Sequence, residues 1–322
     1  MARSNAERIR FAALFCCFAA LLLAGCSPAP QHRPTGGRLP VFAGIPPLAY
    51  LVERIGGDHV EVGILVSPGQ DPHTFEPTPR QILALSRAAM FFKIDMPFEN
   101  TILEKVRKDN RRLEVVDATQ NIKKRAVNAA CCRQTTGHDH DHEAEAGEPD
   151  PHVWLSPVML KIMSQNIAAA LCRADPAHAG DYRRNLAAIV HRLDELDRRI
   201  RKSLAPYRGR TFYVFHPGFG YLADAYGLKE EAIEAGGRAP TPKQLRSLIA
   251  RAKADGVKTV FIQPQYAPES AQAVADALDA KIVAIDGLAR NVLADIDDIA
   301  AKIETALRES KPPKQETRRP GP

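Results

Sequence analysis

Between residues 179 and 204 the chain carries one unbroken amphipathic period. Tyr182, Leu186, Ile189, Leu193, Leu196, Ile200 and Leu204 recur at steps of three and four, with Arg, Asp and Glu between them. That spacing predicts a helix with one buried face. At 1.5 Å per residue it would run roughly 40 Å, the length of a domain, before Pro206 ends it. A helix this long needs apolar partners along its whole length, so folded structure is required on both sides of it.

Both flanks supply strands alternating with helices. Before it, strand-like runs at 41–44, 60–66, 90–94 and 113–116 alternate with helical runs at 48–55, 78–88 and 98–108. After it, strands at 211–215, 260–262 and 282–285 accompany helices at 221–225 and 242–254. Such alternation predicts parallel sheets. The expected fold class is α/β, with two lobes built on parallel-sheet cores and joined by a long rigid α-helix. The first lobe is expected over 40–175, the linker helix over 176–206 and the second lobe over 207–308. Thr241-Pro242-Lys243-Gln244-Leu245 echoes Thr78-Pro79-Arg80-Gln81-Ile82. Each reads as an N-cap followed by proline in the first turn, which fits two related lobes.

Two segments break the pattern. Residues 123–149 hold Cys131-Cys132, then His138-Asp139-His140-Asp141-His142, then an acidic run, with no periodic apolar face. They are expected to form a mobile loop. Residues 309–322 are proline-rich and charged, and are expected to be a disordered tail.

The N-terminus reads as an export signal over 1–25. Arg3, Arg8 and Arg10 precede an apolar run at 11–23 that ends in small residues. The run is too short for a comfortable span of about 20 residues. Leu23-Ala24-Gly25-Cys26 resembles a bacterial lipobox, in which Cys26 is acylated and becomes the first mature residue. Residues 26–39, rich in Pro, Gly and Gln, would then be a flexible tether. The chain is therefore expected outside the cytoplasm, in the periplasm or at the cell surface, held to the membrane by lipid on Cys26. In an oxidising compartment Cys131, Cys132 and Cys172 are an odd set, with either member of the adjacent pair a candidate partner for Cys172. The net charge of +6 sits largely in short solvated runs such as Lys123-Lys124-Arg125, which argues against a nucleic-acid surface.

Four residues stand out chemically. His73 lies in Asp71-Pro72-His73-Thr74-Phe75, His152 in Asp150-Pro151-His152-Val153-Trp154, and His216 in Phe215-His216-Pro217-Gly218-Phe219. Asp286 closes the strand-like run 281–286. A lone histidine beside proline most often satisfies a turn. These four, however, follow predicted strands or lie in Pro/Gly-punctuated loops, where the sites of α/β sheets collect. Phe75, Trp154 and Phe219 can exclude water from them, and they divide two and two between the lobes. Three imidazoles and one carboxylate fill a tetrahedral zinc sphere.

From residue 39 to 307 the chain resembles the solute-binding lipoproteins of zinc and manganese ABC importers. The most specific segments are 71–79 (DPHTFEPTP) and 150–157 (DPHVWLSP), supported by 215–221 (FHPGFGY), 261–266 (FIQPQY) and 284–288 (AIDGL). The resemblance implies metal ligands at His73, His152, His216 and Asp286. It also implies Zn²⁺ capture between two lobes and delivery to an ABC permease and its ATPase in the cytoplasmic membrane, by a protein expected to be a monomer. Histidine at the third position resembles zinc-binding members, whereas manganese binders often carry Glu there; imidazole suits Zn²⁺ and oxygen suits Mn²⁺. Mn²⁺ or mixed Zn/Mn binding is the alternative, and a metal-binding surface adhesin a further one. The acidic loop resembles that of zinc-preferring members and makes His138, His140 and His142 a candidate weak metal collector. The chain departs from the family pattern at Ser156, where Asp is usual, at Gly287, often Pro, and at Gln263, often acidic. A zinc hydrolase is disfavoured, because no HExxH motif is present and four protein ligands would leave no position open. The chain is therefore not expected to be an enzyme. Ligand imidazoles must be neutral, so affinity is expected to fall as pH drops toward about 6.

Overall fold

The computed structural model describes residues 37–126, 149–234 and 240–310, and there the strand–helix alternation becomes two parallel sheets of four strands each. In the first, β1 (Leu39–Ala43) pairs with β2 (Val60–Ile64) and β3 (Met90–Lys93), and β3 with β4 (Glu114–Asp117). The order is β2-β1-β3-β4. Helices α1 (Pro46–Gly56), α2 (Pro79–Leu85) and α3 (Pro97–Asp109) make the crossovers. A single 3-10 turn, Val153–Leu155, then leads into α4 (Pro157–Ala174).

The predicted linker is α5 (Ala179–Leu204), 26 residues long, and it buries Tyr182, Ile189, Leu193, Leu196, Ile200 and Leu204 as the periodicity requires. The second sheet holds β5 (Thr211–Val214), β6 (Lys229–Ala232), β7 (Thr259–Ile262) and β8 (Lys281–Ala284) in the order β6-β5-β7-β8. Its crossovers are α6 (Gly220–Tyr226), α7 (Pro242–Ala254) and α8 (Glu269–Leu278), and α9 (Val292–Glu309) closes the described chain. The two sheets share one strand order, and the echoed Thr-Pro segments occupy equivalent places, opening the helix between the second and third strands of each. Both form capping boxes. Thr78 and Gln81 exchange bonds of 2.9 and 3.3 Å, and Thr241 and Gln244 bonds of 2.8 and 3.4 Å. Each pair satisfies two N–H groups that the helix start would otherwise leave unbonded.

Strands buried on both faces carry continuous apolar runs, as Met90, Phe91 and Phe92 do in β3 and Val260, Phe261 and Ile262 in β7. The larger core runs without a break from Leu39 and Val41 of β1, through the buried stripe of α5, to Ile299 and Leu307 of α9. Helix α5 packs against α1, α4 and α9, so elements of both sheets lean on it. A smaller core between β5, β7, α7 and α8 includes Tyr213, Leu248 and Val274. Direct bonds also join the halves. The Trp154 indole Nε1 donates to the Gly287 carbonyl at 2.7 Å, and the Tyr221 hydroxyl donates to the Asp150 carbonyl at 2.9 Å.

Among the described residues no helix is long and apolar enough to cross a membrane. The expected signal 1–25, Cys26, Cys131, Cys132, His138, His140 and His142 lie outside the described residues. At the ends of the expected loop, Ala126 and Pro149 form an antiparallel bridge. The Cys172 thiol lies 3.7 Å from the Ala179 carbonyl.

Candidate metal centre

His73 lies in the loop from β2 to α2, and His216 lies just beyond β5. His152 immediately precedes the 3-10 turn before α4. These loops leave the carboxyl ends of their sheets, where open α/β folds gather polar groups. The structure brings the three rings together. One ligating nitrogen from each of His73, His152 and His216 lies within 4.8 Å of the others, and this is the metal-competent cluster found among the described residues. The Nε2 atoms of His73 and His152 are 3.3 Å apart. A tetrahedral zinc with Zn–N bonds of about 2.0–2.1 Å sets its nitrogens about 3.3–3.4 Å apart, so this pair already has the span of one edge.

Two buried carboxylates fix the tautomers. Asp150 Oδ1 accepts from His152 Nδ1 at 2.8 Å, and Glu234 Oε1 accepts from His216 Nδ1 at 2.7 Å. A carboxylate only accepts, so Nδ1 carries the proton and Nε2 keeps its lone pair for a cation. His216 Nε2 is buried and has no hydrogen-bond partner. A buried lone pair without a donor is costly in an apolar site and is the atom that a cation would satisfy. At His73 the backbone N–H donates to Asp71 Oδ1 at 2.9 Å, which shapes the turn that presents the ring.

The surroundings favour the neutral form of His73 and His152. His73 keeps one side open to solvent, and partial loss of water on its inner side, reinforced by the neighbouring His152 and His216 imidazoles, pushes its pKa down to about 4. Burial also lowers the pKa of His152, against the opposing pull of Asp150. Tyr266 stacks on His216 with centroids 5.2 Å apart, and Trp154 lies 5.2 Å from His152. The space lined by the three rings, Phe219, Leu155 and Tyr266 is about 40 Å³. That is the scale of an ion with a water.

Of the four ligands expected at this centre, Asp286 is not among the converging atoms. Its Oδ1 accepts from the Leu288 N–H at 3.0 Å and from Gln265 Nε2 at 3.3 Å. Three nitrogens therefore converge rather than four ligands, and coordination number alone does not separate a binder from a catalytic zinc site.

Kinship separates them. The sequence profile of the family described as zinc-uptake complex component A, periplasmic (ZnuA), matches residues 41–312. The chain belongs to this family. A crystal structure of ZnuA superposes with a TM-score of 0.76 at 34% identity, covering 84% of this chain and 100% of that one. A ZnuA deletion mutant with zinc bound gives a TM-score of 0.76 at 33% identity, covering 84% and 98%. The zinc-binding protein AdcA of Streptococcus pyogenes serotype M6 is 27% identical over 262 residues, 78% of this chain and 51% of AdcA, about half its length. As a member of the ZnuA family the chain is a metal-binding, solute-capturing component of an importer that works outside the cytoplasm, and not an enzyme.

The departures from the family pattern have visible consequences. Gln263 brackets the His216 peptide, accepting from its N–H at 3.3 Å and donating to its carbonyl at 2.7 Å. Gly287 faces Leu155, whose Cδ1 would stand 3.2 Å from an added Cβ. The buried Ser156 hydroxyl has no hydrogen-bond partner. Sequence reasoning missed the orienting roles of Asp150 and Glu234. The i, i+2 spacing of Asp150 and His152 was a usable signal, since Asp71 and His73 repeat it. Glu234 is 18 residues from His216 in sequence and has no such cue.

Proposed function

We propose that this chain captures Zn²⁺ outside the cytoplasm and delivers it to an ABC permease served by an ATPase. His73, His152 and His216 supply the grip through Nε2, and Asp286 is the fourth ligand once it leaves Gln265. The observation that carries this is the convergence of three imidazoles, two of them locked by buried carboxylates into the tautomer that offers Nε2. A nitrogen-rich set of three imidazoles favours Zn²⁺ over Mn²⁺, which prefers oxygen and more ligands. The zinc-bound family structure supports the same choice of ion. The lipobox-like segment supports anchoring through Cys26 after removal of 1–25, and the chain would act as a monomer.

The test is competitive titration of the purified, metal-stripped protein with Zn²⁺ and Mn²⁺ against a chromophoric chelator. One tight zinc site is expected. His216→Ala should abolish it with the fold intact by circular dichroism, and unchanged zinc binding in that variant would reject the site. His138, His140 and His142 would form a separate weak collector, so excision of 127–148 should leave the tight site in place.

A further inference from the structure

Asp286 and Gln265 are neighbours by construction. Strands β7 and β8 pair in parallel with Ile262 opposite Ala284. Gln265 lies three residues beyond β7 and Asp286 two beyond β8, so the exits of adjacent strands bring amide and carboxylate together. The turn that carries Gln265 touches both candidate ligands of the second lobe. Gln263 brackets the His216 peptide, Tyr266 stacks on the His216 ring, and Gln265 donates to Asp286. The turn is closed by the Tyr266 N–H on the Gln263 carbonyl at 3.0 Å. Gln265 also lines the cleft with the three rings, whereas Asp286 does not.

The two bonds to Asp286 are unequal in kind. The one from the Leu288 N–H spans two residues and forms a local turn, which persists wherever the far oxygen points. The one from Gln265 crosses between strands and fixes which way the carboxylate faces. Both fall on Oδ1.

We propose that Gln265 is an affinity-setting residue: its amide fixes the orientation of the Asp286 carboxylate outside the imidazole cluster, so that the carboxylate must swing against that contact to become the fourth ligand. This rests on the zinc-site reading above and adds a restraint on tightness, which a protein that must surrender its cargo requires. Removing the donor frees Asp286 at no cost to the ion and strengthens the grip.

The test is Gln265→Met, which keeps side-chain length and deletes the amide. It is measured beside Asp286→Ala and the double variant by chelator competition for Zn²⁺ and by stopped-flow release. Gln265→Met is expected to bind about tenfold more tightly, the scale of one hydrogen bond to a charged group, and to release zinc correspondingly more slowly. The gain should vanish when Asp286 is also alanine. A merely structural role would weaken binding or leave it alone. Equal or weaker binding in Gln265→Met, or a gain that survives loss of Asp286, overturns the inference. If Gln265→Met folds poorly by thermal melt, Gln265→Ala provides the same comparison. Should His216→Ala retain zinc, the site reading itself fails; should it lose zinc while Gln265→Met is no tighter, this inference alone fails.

Discussion

At the scale of single residues, the site is decided by which nitrogen of each ring carries the proton. Asp150 and Glu234 hold Nδ1–H on His152 and His216 and leave Nε2 free. Orienting carboxylates of this kind typically contribute 10–100-fold in metal affinity. Asp150→Asn and Glu234→Gln should therefore each weaken zinc binding by about that factor, with unchanged secondary structure by circular dichroism. The sign of the pH dependence follows from His73. Its pKa in the metal-free fold is lowered to about 4 from an ordinary 6.5, so between those values the folded ring is neutral while an unfolded one is protonated. The unfolded state then binds more protons, and His73 makes the metal-free fold lose stability as pH falls from about 6.5 toward 4. Proton competition with the ion at this ring likewise starts only near the lower value, and burial moves His152 the same way. Protons should therefore compete less with the ion at these two rings than they would at ordinary imidazoles. Nitrogen-detected NMR of the metal-free protein should find His73 neutral at pH 6 and titrating near pH 4; a midpoint near 6.5 would contradict the crowded geometry.

At the scale of elements, the loop bearing His73 is fastened at its far end by one side chain. Gln81 completes the α2 capping box through Oε1, and its Nε2 donates to the Leu65 carbonyl at 2.6 Å, where β2 gives way to that loop. Gln81→Ala should lower stability by about 1 kcal/mol through the lost cap. It should also weaken zinc binding severalfold, because the loop loses its tie to the sheet; chemical denaturation and chelator competition measure the two effects separately. Most elements around this loop were legible from their patterns. The stripe on α5, the Thr-Pro helix starts and the apolar strands β1, β3 and β7 each announce themselves through period or cap. Strand β6 was not, since Lys229-Glu230-Glu231-Ala232 is an edge whose burial is only partial and whose charges read as loop. Helix α4 was hidden for the opposite reason: its buried stripe, Leu160, Met163, Ser164, Ile167, Ala168 and Leu171, is blurred in the sequence by apolar Val158, Met159, Ile162 and Ala169 on its other faces. The same division holds at the site. Three histidines in punctuated loops could be read from sequence, whereas the contact of Gln265 with Asp286 comes from a strand pairing that only three dimensions reveal.

At the scale of the whole molecule, the continuity of the larger core is the property with most consequence. Apolar side chains from β1, α1, α4, α5 and α9 share one buried cluster, so opening one half means disturbing the packing of the other. A protein of two independent lobes on a flexible hinge would unfold in two steps and would contract on binding its ligand. This architecture should instead unfold in one transition, and its radius of gyration by small-angle scattering should be the same within error with and without zinc. Leu193, fully buried halfway along α5, is where the idea is most exposed to test. Leu193→Ala removes packing from the helix on which both halves lean and should cost about 2–5 kcal/mol. If the core is one cooperative unit, hydrogen exchange in that variant should accelerate in both sheets together, and the metal-free protein should still melt in a single step. Saturating zinc should then restore protection on both sides, because the ion bonds loops from both sheets and stabilises whatever unfolds with them. Acceleration confined to one sheet, or a melt that divides in two, would mean that α5 joins two separately stable bodies and that metal capture depends on their motion rather than on a preformed cleft.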